Sequence, residues 1–249
     1  MIKALNVTKK FGDLTVVNNL SLSVQPGEIF GFLGLNGAGK TTTLRMLSGI
    51  IPPTSGEISI GNFDIVSQPR EAKQITGFIP DRPHLYPKLT GLEMILFCAE
   101  LYGIPYKVAC ERAEKLLHKF GLSAWSNQLT ETYSHGMKQR LATASALVHE
   151  PKVLIVDEPM VGLDPFGAKE LKKLFRELAA SGTTIMLSTH SLNVAEELAD
   201  RIAIIKTGNV IATGTLAELR SGTGQAKASL EELFLNLTEA DGVTHMQDS

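Results

Sequence analysis

The apolar positions fall into short runs at both ends of the chain and onto helical faces in its middle. Ile2, Leu5 and Val7 predict a first strand, and Phe11-Gly12-Asp13 then turns the chain. Leu20-Ser21-Leu22-Ser23-Val24 alternates with period two, the pattern of a strand with one buried face. Pro26-Gly27 turns it back into Ile29-Phe30-Gly31-Phe32-Leu33, a continuous apolar run that reads as a buried strand. Leu44, Met46 and Leu47 continue as a helix ending near Gly49. After the Pro52–Gly56 turn come short strands over Glu57–Ile60 and Ile75–Ile79. Pro80-Asp81-Arg82-Pro83 is a loop, because two prolines so close do not fit a helix interior.

From about residue 90 the period changes. Leu92, Ile95, Leu96 and Ala99 make one helical face, and Val108–Phe120 a second helix with Gly121 as its C-terminal stop. A mainly helical lobe over about 90–149 follows. Val153–Val156 returns to a buried strand, and Asp164-Pro165 opens the next helix with a good cap and a proline at the first position. Leu171, Leu174, Phe175 and Leu178 line its core face. Thr183–Leu187 and Ile202–Ile205 read as strands, with a helix over Val194–Ala199 between them. Gly208-Asn209 signals a hairpin into Val210–Ala212. Ser221–Ala228 is small and polar, a linker. Ser229 caps a short amphipathic helix with Leu230, Leu233 and Phe234, and residues after Asp241 read as a disordered tail.

The chemistry begins at Gly34-Leu35-Asn36-Gly37-Ala38-Gly39-Lys40-Thr41-Thr42-Thr43. Gly34, Gly39, Lys40 and Thr41 match G-x-x-x-x-G-K-[ST], and the stretch lies between a predicted strand and a predicted helix. Glycines let backbone N–H groups curl around an anion. The helix start offers unpaired N–H groups and the positive end of its dipole. Lys40 reaches the β- and γ-phosphates, and the Thr41 hydroxyl suits Mg²⁺, a cation that takes hard oxygen ligands.

Three later stretches belong with this loop. Val153–Val156 ends in Asp157-Glu158, two carboxylates at the C-terminal end of a strand, where open α/β sheets bind ligands. Asp157 suits Mg²⁺, directly or through water, and Glu158 the polarising of a water that attacks the γ-phosphate. Ser134 and Gly136, in Tyr133–Arg140, place a hydroxyl and a backbone N–H at a helix start. That is a second anion site, or by itself an ordinary capped helix. His190 ends a strand; beside a nucleotide it would sense or stabilise the γ-phosphate, and alone it reads as structural.

Composition narrows the partners. The 249 residues are 43% hydrophobic, enough for a substantial core, and the formal net charge of -2 with pI near 6.3 gives no basic footprint for nucleic acid. No apolar run approaches the roughly 18 residues of a membrane span, and Met1–Asn6 is no signal peptide, so a cytoplasmic protein is expected. Cys98 and Cys110 are the only cysteines and form no zinc-type pair.

Over about residues 1–220 the chain resembles the ATP-binding subunit of an ATP-binding-cassette (ABC) transporter. Gly34–Thr41 is similar to the Walker A motif, Val153–Glu158 to Walker B, Tyr133–Arg140 to the Leu-Ser-Gly-Gly-Gln signature and Gly162-Leu163-Asp164 to the D-loop. His190 falls at the switch histidine, and Phe11 where the family stacks an aromatic ring on adenine. The resemblance implies an α/β fold: a P-loop NTPase (RecA-like) core with an N-terminal antiparallel β subdomain and an inserted helical subdomain. It implies ATP and Mg²⁺, the metal on Thr41, Asp81 and Asp157. It also implies a head-to-tail pair, expected to be two copies of this chain, in which Ser134, Gly136 and Asp164 of one serve the ATP of the other. An integral membrane permease subunit completes the expected assembly, with this chain peripheral on the inner face of the cell membrane and residues 221–249 a linker, short helix and tail.

Departures from the family pattern are specific. Asp81 stands where the Q-loop usually has Gln; Tyr133, His135 and Met137 replace Leu, Gly and Gln of the signature; and Leu35 replaces a common Pro. The signature variant, Leu85-Tyr86-Pro87 and Ser229–Leu237 resemble the ABC-2 exporter branch. Two other readings exist. A soluble ABC ATPase of an assembly or repair complex would carry two cassettes or long coiled coils. A small-molecule kinase or GTPase would share only the first motif.

Overall fold

The computed structural model describes residues 1–222 and 229–239. In chain order the elements are β1 (Ile2–Phe11), β2 (Leu14–Val24), β3 (Ile29–Leu33), α1 (Lys40–Leu47), β4 (Ser55–Ile60), β5 (Phe63–Asp64), α2 (Pro69–Gln74), β6 (Thr76–Ile79), α3 (Gly91–Leu101), α4 (Tyr106–Lys119), α5 (His135–Leu147), β7 (Val153–Asp157), α6 (Pro165–Ala180), β8 (Thr184–Thr189), α7 (Leu192–Leu198), β9 (Arg201–Lys206), β10 (Asn209–Gly214), α8 (Leu216–Gly222) and α9 (Leu230–Glu239). Two sheets result. An antiparallel sheet runs β2-β1-β4-β5, and a six-stranded sheet runs β10-β9-β3-β8-β7-β6, parallel except for the β9–β10 hairpin.

The unbroken apolar runs are explained by burial on both faces of the parallel sheet. Along β7, Val153 and Ile155 point one way, Leu154 and Val156 the other. The first pair joins Phe30 and Phe32 of β3, Leu44, Met46 and Leu47 of α1, and Ile58 and Ile60 of β4, so α1 is packed between the two sheets. The second pair joins Ile185 and Leu187 of β8, Leu171, Leu174 and Phe175 of α6, and Val194 and Leu198 of α7. Helices α3, α4 and α5 form their own core from Ile95, Ala99, Ala113, Leu117, Leu141 and Ala144. Thr90 opens this lobe with a reciprocal capping box to Glu93.

Three local features differ from the sequence reading. Helix α2 and strand β5 carried no signal, because only Ala72 is buried in Pro69–Gln74 and β5 is two residues long. The β9–β10 turn is Thr207-Gly208, since Lys206 pairs with Asn209. Asn209 is held in the strand instead: it donates to Thr207 O at 3.0 Å and accepts from Asn18 at 3.1 Å. Ser221 and Gly222 close α8, while the remainder of the expected linker, 223–228, and the expected tail lie outside the described residues. Ser229 caps α9 as a box with Glu232, and Leu230, Leu233 and Phe234 pack on Ala195, Ile202 and Leu33. No described helix is long and apolar enough to cross a membrane.

Candidate active site

The parallel sheet presents the C-terminal ends of β3, β7 and β8 side by side, and the sequence places a chemical group after each. After β3 the chain passes through 34–39 into α1. Gly39 takes φ 105°, which an L side chain rarely adopts, and a Cβ there would lie 2.8 Å from Val16 O. A Cβ on Gly34 would lie 2.6 Å from Ile205 O. The loop is thus pressed onto β2 and β9, with Leu35 60% exposed at its outer edge. The first N–H groups of α1 have no partner within the helix, and no acidic residue sits in its first turn. Lys40 is buried; its ammonium donates to Gly34 O at 2.7 Å and Leu35 O at 3.3 Å.

Asp157 ends β7 and is buried opposite Ser188, its register partner on β8. The Ser188 hydroxyl donates to its Oδ1, and the Thr41 side chain also hydrogen-bonds it. Burial raises the Asp157 carboxyl above the usual range; these two bonds oppose the shift, and the charges of Asp81 and Glu158 add to it. The sequence did not single out Ser188; the parallel pairing alone identifies it. Glu158, next in the chain, holds φ 47°, a strained value for a non-glycine residue. Its N–H is bonded to both Ser188 O and Ser188 Oγ at 3.2 Å, and this fixes its direction. One carboxylate oxygen lies 3.6 Å from the Lys40 ammonium, the other 2.9 Å from His190 Nδ1 and 3.4 Å from the His190 N–H.

The structure therefore gathers the phosphate loop, Thr41, Asp81, Asp157, Glu158 and His190 at one place. It puts Ser134, Gly136 and Asp164 elsewhere. Ser134 caps α5 by accepting from Met137 N at 3.3 Å, and Asp164 caps α6 by accepting from Gly167 N at 2.6 Å. Together with Gly162 they line a groove of about 660 Å³ between α5 and α6 that no phosphate-loop residue lines. Phe11 stands 52% exposed at the tip of the β1–β2 hairpin, the Lys9 ammonium 5.1 Å from its ring centre; the same hairpin carries Val16 to the phosphate loop.

The set fits a nucleotide phosphate with a divalent cation. Asp157 bonds the Thr41 side chain, Glu158 lies 3.6 Å from the buried Lys40 ammonium, and the Asp157 carboxyl is raised first by burial and then by the neighbouring charges of Asp81 and Glu158, which a bound cation would offset. Among the described residues no three His, Cys, Asp or Glu form a cage, so a cation would complete its shell from phosphate oxygens and water, as Mg²⁺ commonly does. The folded pKa of Asp157 exceeds the unfolded one, so ionised Asp157 weakens the fold above that raised pKa and the penalty fades as pH falls through it. Asp157→Asn should therefore raise the melting temperature of the nucleotide-free protein at pH 7. The gain should shrink on acidification, as read by thermal unfolding across pH; an equal or lower melting temperature at pH 7 would contradict it.

Fold and site define a P-loop nucleotide triphosphatase. A family model described as ABC transporter matches residues 17–161. The chain is 40% identical over 224 residues to the linearmycin resistance ATP-binding protein LnrL of Bacillus subtilis, covering 90% of this chain and 72% of that protein. It is 42% identical over 209 residues to the Nod factor export ATP-binding protein I of Burkholderia lata, covering 84% and 69%. Against longer relatives it spans less, 41% of one probable multidrug protein of Escherichia coli. The dimeric post-hydrolysis state of the ATP-binding cassette MJ0796 bound to ADP and Pi superimposes with TM-score 0.77 at 29% identity, over 87% of this chain and 99% of that one. The chain belongs to the ABC transporter ATP-binding family. It is an ATP-binding, ATP-hydrolysing cassette of the export type.

Proposed function

We propose that two copies of this cassette close on ATP and drive a separate integral membrane permease from the inner face of the membrane. The observation that carries the pairing is the division of the site. Lys40, Asp157, Glu158 and His190 converge, while Ser134, Gly136 and Asp164 line a groove of their own. Each set is half of a binding site, and head-to-tail pairing makes two whole ones.

In this reading the N–H groups of 34–42 and Lys40 hold the triphosphate, and Phe11 packs on the adenine. Thr41, Asp157 and Asp81 would hold Mg²⁺, which when bound neutralises charge on the phosphate oxygens. Lys40 exchanges its bonds to Gly34 O and Leu35 O for phosphate oxygens and leaves Glu158 free. Glu158 then accepts the proton of the attacking water, and His190 fixes the carboxylate's orientation through its 2.9 Å contact. The Ser134 hydroxyl and Gly136 N–H of the other copy meet the γ-phosphate from the opposite side.

The permease contact is placed at the Asp81 loop and α3. A groove of about 420 Å³ there is lined by Pro80, His84, Leu85, Met94, Cys98 and Tyr102, beside exposed Tyr86 and Leu101. Affinity purification of the full chain from detergent-solubilised membranes of its own host should bring down one multi-span protein, and Leu85→Glu should lose it. Recovery of no membrane protein, or equal recovery with Leu85→Glu, would refute this placement.

A further inference from the structure

His135 opens α5 between Ser134 and Gly136, at the signature position the family usually fills with glycine. Its ring is placed against the turn after Glu158. A Cβ built on Gly162 would lie 2.5 Å from both Cδ2 and Nε2 of His135, so the imidazole occupies the space a side chain would take. Gly162 also holds φ 79°, and both conditions select glycine there. The turn is short and internally bonded: Val161 N donates to Glu158 O at 3.2 Å and Leu163 N to Met160 O at 3.3 Å. It begins at Glu158 and ends at Asp164, the cap of α6. One turn along α5, Gln139 is 1% exposed and neither of its amide atoms bonds a protein group; it lines the same groove as Gly162, Leu163 and Asp164. The face of α5 toward this turn thus carries one side chain in tight contact and one with hydrogen-bonding capacity to spare.

We propose that His135 is a positioning residue that ties the start of α5 to the Glu158–Asp164 turn, so that α5 closing over the partner copy's triphosphate shifts Glu158 of its own chain. The proposal rests on the paired-cassette reading above. Ser134 and Gly136 work on the other copy's nucleotide, whereas Glu158 works on its own. A rigid link between α5 and the turn makes each site sense whether the other is filled. The effect is on the chemical step, because a general base displaced by a fraction of an ångström loses rate without loss of substrate affinity.

The test is a double-mutant cycle on the full chain, reading ATP turnover, KM, the Hill coefficient for ATP and the unfolding midpoint. His135→Gly should lower kcat about tenfold and bring the Hill coefficient toward 1, with KM within about twofold and the midpoint unchanged. His135→Gln, which keeps a planar group of similar reach, should restore most of the rate. Gly162→Ala pushes the ring aside and should lower kcat as well. The double variant should be no slower than Gly162→Ala alone, because the contact is lost only once. Multiplied losses in the double variant, or wild-type kcat and Hill coefficient in His135→Gly, would overturn the link. Glu158→Gln separates the two levels. If it stops turnover while His135→Gly is silent, the link alone is wrong; if it turns over normally, Glu158 is not the base; and if Lys40→Ala and Ser134→Trp copies fail to restore activity when mixed while Ser134→Trp alone is fully active, the paired reading beneath is wrong.

Discussion

Glu158→Gln retains ATP binding and loses turnover by about 10²–10⁴-fold, the range for removal of a general base. The amide keeps the size of the carboxylate and its backbone bonds to Ser188, so the loop geometry survives. It cannot take a proton from water. It also removes the negative charge 3.6 Å from Lys40, which frees that ammonium for phosphate and favours tight nucleotide binding. In the proposed cycle hydrolysis reopens the pair, so the variant should accumulate as an ATP-dependent dimer on size-exclusion chromatography. Phosphate release, fluorescent-nucleotide binding and elution volume measure the three parts. Turnover near the wild-type rate would remove Glu158 from its role.

Two inactive variants restore each other's activity when mixed. Lys40→Ala spoils the half that grips phosphate, and Ser134→Trp spoils the half lent to the other copy. Alone, each should fall at least about 10²-fold in turnover, because every dimer then has both sites broken. In an equimolar mixture half the dimers are mixed. Each mixed dimer has one intact site, built from the phosphate loop of the Ser134→Trp copy and the signature of the Lys40→Ala copy. Up to about one quarter of wild-type activity should return on mixing, the full quarter if the sites act independently and less if the broken site withholds the shift of Glu158 proposed above. No recovery, together with full activity of Ser134→Trp alone, would show that one copy suffices.

Both results depend on residues that the sequence singles out. Gly34–Thr42 and Asp157-Glu158 were legible because their chemistry is local: a glycine turn before a helix and two carboxylates ending an apolar strand. The buried strands were legible because burial on both faces leaves no polar position. Helix α2 was silent because a surface helix with one buried alanine writes almost nothing into the apolar pattern. Ser188 was silent for a different reason. A serine near a strand end has no local meaning until pairing of β7 with β8 sets it against Asp157.

By itself the sequence determined the strand–loop–helix that cradles phosphate, the paired acids and the capped helix start at Ser134, since each follows from neighbouring residues and backbone stereochemistry. Only the tertiary structure decided that Glu158 stands between Lys40 and His190, that Asp157 is held by Ser188, and that the His135 ring lies on Gly162. Those are contacts between segments far apart along the chain. Their distances are set by sheet order and helix packing, which result from the burial of apolar surface by the whole fold and not from any local run of residues.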